Sequence, residues 1–169
     1  DRPADFASIG AEVEAELAEE TVLPGAPTGM AWLTERTNGL RPGKFWSIIA
    51  AYKKRKSGTL RNMVIAAAEA KYQVLMCALE GTREDFYLDI WAMLATRYMH
   101  RTLPPDVYQE ESFLDGEHLR ASLRTPAQHS ALEQTRPQLQ QIGKYLRIVD
   151  ARDRIVDLGR FTARVQRER

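Results

Sequence analysis

A chain of 169 residues has the size of a single domain and is long enough to bury a hydrophobic core. Its composition, 44% hydrophobic and 28% charged, argues against a disordered chain, and its one cysteine, Cys77, excludes an internal disulfide. No apolar run approaches the roughly 18–20 residues of a membrane-spanning helix, and the acidic N-terminus is unlike a secretory signal. We therefore expect an intracellular, cytoplasmic protein without membrane contact.

The net charge of +1 conceals blocks of opposite sign along the chain. Residues 1–35 hold eight acids and one base, whereas residues 36–61 hold eight bases and no acid. Residues 102–118 carry only acids, and residues 119–169 carry eleven bases against five acids. Such segregation predicts binding to a partner of opposite charge, or self-association.

The first predicted element is a one-sided acidic helix. Its apolar stripe consists of Phe6, Ile9, Val13 and Leu17, and its other face carries glutamates. Prolines and glycines follow, so residues 21–29 form a linker or an ordered loop. This divides the chain into residues 1–29, an acidic helix with a Pro/Gly linker that could extend as an arm, and residues 30–169, a helical core domain with a basic tail.

Four helices are predicted over the next part of the chain. One covers about 30–38 and ends at Gly39; a second carries Phe45, Ile48, Ile49 and Tyr52 and runs into the lysine-rich segment that follows. A long third helix is predicted over about 60–80 and a fourth over 83–101, begun by Thr82. The short link between these last two predicts a helical hairpin.

The C-terminal third is less regular. Residues 104–116 are predicted to be a loop, after which Asp115-Gly116 begins a helix. Thr125-Pro126 is a good helix start, and Pro137 predicts that residues 126–135 and the following segment are separate helices. Residues 145–158 suit either a helix or a hairpin of two strands, and we favour the helix. Together these elements predict an all-α fold, an irregular bundle of six to eight helices.

The strongest candidate site is the acid-free basic stretch. Phosphate groups attract such clusters through counterion release, and exposed aromatic residues among the cations could stack on unpaired bases. For Phe45 and Tyr52 we expect burial in the core instead. The predicted nucleic-acid-binding residues are Arg41, Lys44, Lys53, Lys54, Arg55, Lys56 and Arg61. The arginines at 160, 164, 167 and 169 suit either a basic arm or a solvated terminus.

Catalytic chemistry is not indicated. The three histidines lack partners at metal-ligand spacing, and Asp85 and Asp89, one helical turn apart, are expected to be solvated. Cys77 lies in an apolar run and is expected to be a buried structural thiol. Gly39 to Lys44 lacks the spacing of a phosphate-binding loop. We expect no cofactor, no metal and no small-molecule substrate.

These observations favour a non-enzymatic protein that binds the phosphate backbone of RNA or DNA with little sequence specificity. Homo-oligomerisation through Phe6, Ile9, Val13 and Leu17 could accompany binding, as in a coating or packaging protein. The alternative is a protein–protein adaptor or assembly subunit that does not bind nucleic acid. Salt-dependent binding of an oligonucleotide separates the two.

Overall fold

The structure is a mixture of helices and parallel strands. The computed structural model describes Glu14 and residues 25–51, 56–78, 80–105, 114–121 and 124–150. Five helices and two strands lie within these ranges: α1 (Ala31–Thr37), α2 (Lys56–Glu69), β1 (Val74–Ala78), α3 (Arg83–Thr102), α4 (Gly116–Arg120), α5 (Pro126–Gly143) and β2 (Leu146–Asp150). The prediction of an all-α bundle of six to eight helices is therefore wrong. The predicted stripe of Phe6, Ile9, Val13 and Leu17 lies outside the described residues.

Residues 25–40 form a closed loop around α1. Ala26 and Leu40 exchange two backbone hydrogen bonds, of 3.1 and 2.7 Å, and Gly39 adopts a left-handed φ of 77° where the helix ends. The Asn62 side chain of α2 donates to the carbonyl of Gly29 at 3.0 Å. Thus the described part of the predicted linker, residues 25–29, is an ordered loop that is held against α2.

α2 ends well before the position predicted for it. Lys71 adopts a left-handed φ of 66°, its amide donates to Ala68, and the next amide, that of Tyr72, donates to Ala67, each at 3.0 Å. This pair of bonds closes the helix, usually around a glycine. The chain then enters β1, so the predictions of one helix over residues 60–80 and of a helical hairpin with α3 are both wrong.

The two strands pair in parallel, in a register that runs from Val74 opposite Leu146 to Ala78 opposite Asp150. The prediction of a helix over residues 145–158 is therefore wrong for residues 146–150, which form a strand. The hairpin alternative named a strand there, but its second strand lies outside the described residues. A parallel pair needs a long connection, and here that connection contains α3, α4 and α5.

The predicted helix starts of α3, α4 and α5 are confirmed. Thr82 caps α3 in a reciprocal arrangement with Asp85, and Thr125 caps α5 in the same way with Gln128. The side chain of Asp115 accepts from the third residue of α4 at 2.8 Å. These short polar side chains satisfy amides that have no partner within the helix.

The hydrophobic core lies mainly between α3 and α5. α5 continues through Pro137 because buried residues on both sides of the proline, Leu132 and Leu139, pack against α3. Trp91 of α3 also donates its indole N–H to the carbonyl of Leu132 at 3.1 Å. The prediction of two helices separated at Pro137 is therefore wrong. No helix in the described part of the chain is long and apolar enough to cross a membrane.

A second group of buried residues joins the sheet to the helices. Met76 and Ala78 of β1 pack with Val64 of α2 and Phe86 of α3. These contacts place the second half of α2, which contains Val64, beside the strand. The edge of β1 and the face of α2 next to it border the candidate site.

Candidate phosphate-binding groove

An apolar groove of about 980 Å³ opens beside α2 and β1. α2 contributes residues between Lys56 and Ala67, and β1 contributes Val74 and Leu75. The ordered loop contributes Gly25, Ala26 and residues 40–42, and residues 46–48 complete the lining. The groove is at the upper end of the usual size range for a small-molecule site, roughly 300–1,000 Å³.

The described lining of the groove carries positive charge. Arg41 and Lys56 are its charged residues, and no carboxylate lies among the described residues that line it. Arg41 is partly buried and Lys56 is exposed. Two cations next to apolar surface attract anions more strongly than the same cations in a mixed-charge surface.

Lys56 belongs to α2, whereas it was predicted to follow the end of the preceding helix. Lys56 and Ser57 are the first residues of α2 that the structure describes, and the first described turn contains no acid. The amides at a helix N-terminus carry partial positive charge, so a cation there is unfavourable and an anion is favourable. Lys53, Lys54 and Arg55 precede Lys56 in the sequence but lie outside the described residues.

The structure brings only some of the predicted binding residues together. Arg41 and Lys56 line the groove, and Lys44 is exposed but is not among the lining residues. Arg61 instead pairs with Asp89 of α3 at 2.5 Å and lies over the ring of Phe86, 5.0 Å from its centroid. With its side chain only 22% exposed, Arg61 joins α2 to α3.

The aromatic residues of this region are more exposed than predicted. Residues 44–51 form neither helix nor strand, so the predicted helical stripe is wrong for its described part; Tyr52 lies outside the description. Phe45 is 94% exposed and Ile49 is 91% exposed. Trp46 and Tyr72, about two-fifths exposed, line the groove. Tyr72 was missed because it reaches the groove only through the turn that ends α2.

The other candidate groups have structural partners. Asp85 caps α3 and bonds with Arg120, while Asp89 accepts from the amide of Gly116 at 3.0 Å as well as pairing with Arg61. The described residues contain no group of His, Cys, Asp and Glu side chains that could hold a metal ion. Cys77 is partly buried in β1, and burial raises the pKa of its thiol above the ordinary value.

Comparison with known proteins assigns no family. No protein-family model matches the chain, and no curated protein sequence is significantly similar to it.

Proposed function

We propose that the chain binds the phosphate groups of a nucleotide-type ligand at the Lys56 end of the groove. The observation that carries this proposal is the position of Lys56 and Ser57: they are the first described residues of α2, they line the groove, and no carboxylate is among its described lining residues. Phosphate oxygens would accept from the lysine ammonium group, the serine hydroxyl and the first amides of the helix. Arg41 would add a second cation.

The order of elements around this end supports the same interpretation. A Lys-Ser pair in the first described turn of a helix, followed by a parallel strand, also occurs at phosphate-binding loops, although there a strand precedes the loop and here residues 44–51 form neither helix nor strand. The two glycines of that motif are absent, because Ala50 and Arg55 occupy their positions. Close approach of phosphate to the loop backbone is therefore restricted, and cationic side chains carry more of the attraction.

The apolar part of the groove suits the ring of a base. Trp46 and Tyr72 line it, and aromatic side chains stack on bases of any sequence. A free nucleotide and an unpaired nucleic-acid strand share this chemistry, and either could fill the groove. The exposed Phe45 and Ile49 favour the protein-interaction adaptor as a second candidate.

The test is the replacement Lys56→Gln, which removes the charge and keeps most of the side-chain length. Two probes are titrated into the full chain at low salt: a fluorescent adenosine triphosphate analogue and a fluorescein-labelled oligothymidylate. We expect Lys56→Gln to weaken binding by about tenfold, the loss of one charge-assisted contact. Lys144→Gln is the matched control, because Lys144 is exposed beyond α5 and does not line the groove.

The two probes identify the source of the phosphate. A nucleic-acid ligand predicts an affinity that falls steeply with salt, with a slope that decreases by about one on Lys56→Gln. A free-nucleotide ligand predicts 1:1 binding of the triphosphate analogue and competition by inorganic triphosphate. If neither probe binds at low salt, or if Lys144→Gln weakens binding as much as Lys56→Gln, the proposal is wrong.

A further inference from the structure

The edge of β1 that faces away from β2 is open within the described ranges. Residues of a parallel strand direct their backbone groups alternately to either side. The amide of Val74 donates to the carbonyl of Tyr145 at 2.7 Å, which fixes Val74, Met76 and Ala78 as the residues that bond to β2. Leu75 and Cys77 therefore direct their N–H and C=O groups towards the opposite edge, where the described sheet has no strand.

This edge borders the apolar part of the groove, because Val74 and Leu75 are among its lining residues. Backbone donors and acceptors next to apolar surface are costly unless they are paired. A small ligand could satisfy one or two of these groups. The N–H and C=O groups of Leu75 and Cys77 alternate at the spacing of a strand, so a second extended backbone can pair with all of them.

We propose that the groove accepts an extended, acidic peptide segment that adds to β1 as a third strand. Its backbone would pair with Leu75 and Cys77, and its apolar side chains would fill the groove. Its carboxylates would face Arg41 and Lys56, which are the charged residues of the described lining. This strand addition depends on the β1 edge, which the phosphate proposal does not use, whereas the peptide and a nucleotide would compete for Arg41, Lys56 and the apolar lining.

The probe is a synthetic peptide of about nine residues, long enough for one strand, in which valine and threonine alternate between terminal glutamates. Amide exchange is followed by NMR on the ¹⁵N-labelled full chain. We expect the peptide to slow exchange of the Leu75 and Cys77 amides by at least about tenfold, whereas the Met76 amide, which already faces β2, changes little.

Two control peptides separate strand addition from nonspecific adhesion. A peptide with proline at alternate inner positions cannot donate to the strand edge, and it should bind at least about tenfold more weakly. A peptide with terminal lysines should also bind more weakly, because Arg41 and Lys56 repel it.

Three results would overturn the inference. The Leu75 and Cys77 amides could exchange as slowly as Met76 in the free chain, which would mean that the edge is already occupied. Their protection could rise with protein concentration alone, which would assign the edge to a second copy of the chain. The proline peptide could bind as well as the strand peptide, which would exclude pairing with the backbone.

Discussion

Replacing Asp150 by alanine should destabilise the fold more than the loss of any surface charge. Asp150 ends β2, its side chain is 1% exposed, and its carboxylate accepts from the amide of Arg83, the first residue of α3, at 2.9 Å. A hydrogen bond to a buried charged group contributes roughly 1.5–3 kcal/mol, and an anion at a helix N-terminus adds about 0.5–1 kcal/mol. The Arg83 side chain, 3.5 Å away and 45% exposed, adds little. We expect Asp150→Ala to lower the free energy of unfolding by about 3 kcal/mol.

The assay is urea unfolding followed by far-ultraviolet circular dichroism, with the loss read from the midpoint at unchanged slope. Asp150→Asn keeps an acceptor for the Arg83 amide but removes the charge, so it should lose only about 1 kcal/mol. The control is Glu133→Ala, which breaks an ion pair with Arg136 whose two side chains are each 51% exposed, and should cost less than about 0.5 kcal/mol. Equal losses for Asp150→Ala and Glu133→Ala would refute the reasoning.

Two further predictions concern single positions. Lys71→Gly should raise the free energy of unfolding by about 0.5–1 kcal/mol in the same urea assay, because glycine adopts the left-handed φ of 66° without strain; a loss of stability would contradict this account of the end of α2. At Asp115, burial raises the pKa of the carboxyl, but hydrogen bonds from the backbone and ring of His118 outweigh it and leave the pKa below its ordinary value of 3.8. The stabilisation is therefore fully present above pH 3.8 and is lost as the pH falls through the lower pKa of the folded state. Asp115→Asn should flatten that acid-side decline in urea midpoints, and an unchanged pH profile would count against the interaction.

The sequence identified those parts of the fold that depend on local hydrogen bonding. The threonine caps at Thr82 and Thr125 and the aspartate cap at Asp115 were all visible, because each side chain satisfies amides within its own first turn. α1 was also predicted, with its end at Gly39. Such signals span three or four residues and need no tertiary information.

The strands were missed because what defines them lies far apart in the chain. Val74–Ala78 has no alternation of polar and apolar residues, and its partner is near the other end of the described chain. Alanine-rich α2 resembles the beginning of a longer helix, and Lys71, unlike a glycine, does not signal its end. Pro137 caused the opposite error, because it predicted a helix end where α5 continues. Packing against α3 outweighs the local cost of a proline within the helix.

The candidate site was predicted in part. Charge alone identified Arg41 and Lys56, but charge could not show that Arg61 pairs with Asp89 across two helices. The helical stripe predicted for Phe45 and Ile49 implied that both are buried, whereas both are almost fully exposed. Which cations lie together depends on where α2 begins, and that boundary was drawn several residues too late.

The parallel pairing of β1 with β2 also determines when this protein can fold during its synthesis. A ribosome releases β1 well before β2, and the strand cannot acquire its partner until residue 150 has left the exit tunnel. Contacts of such long sequence separation make folding slow, and an unpaired strand is prone to aggregation meanwhile. Nascent chains that stall between α3 and α5 should therefore be the species that chaperones bind.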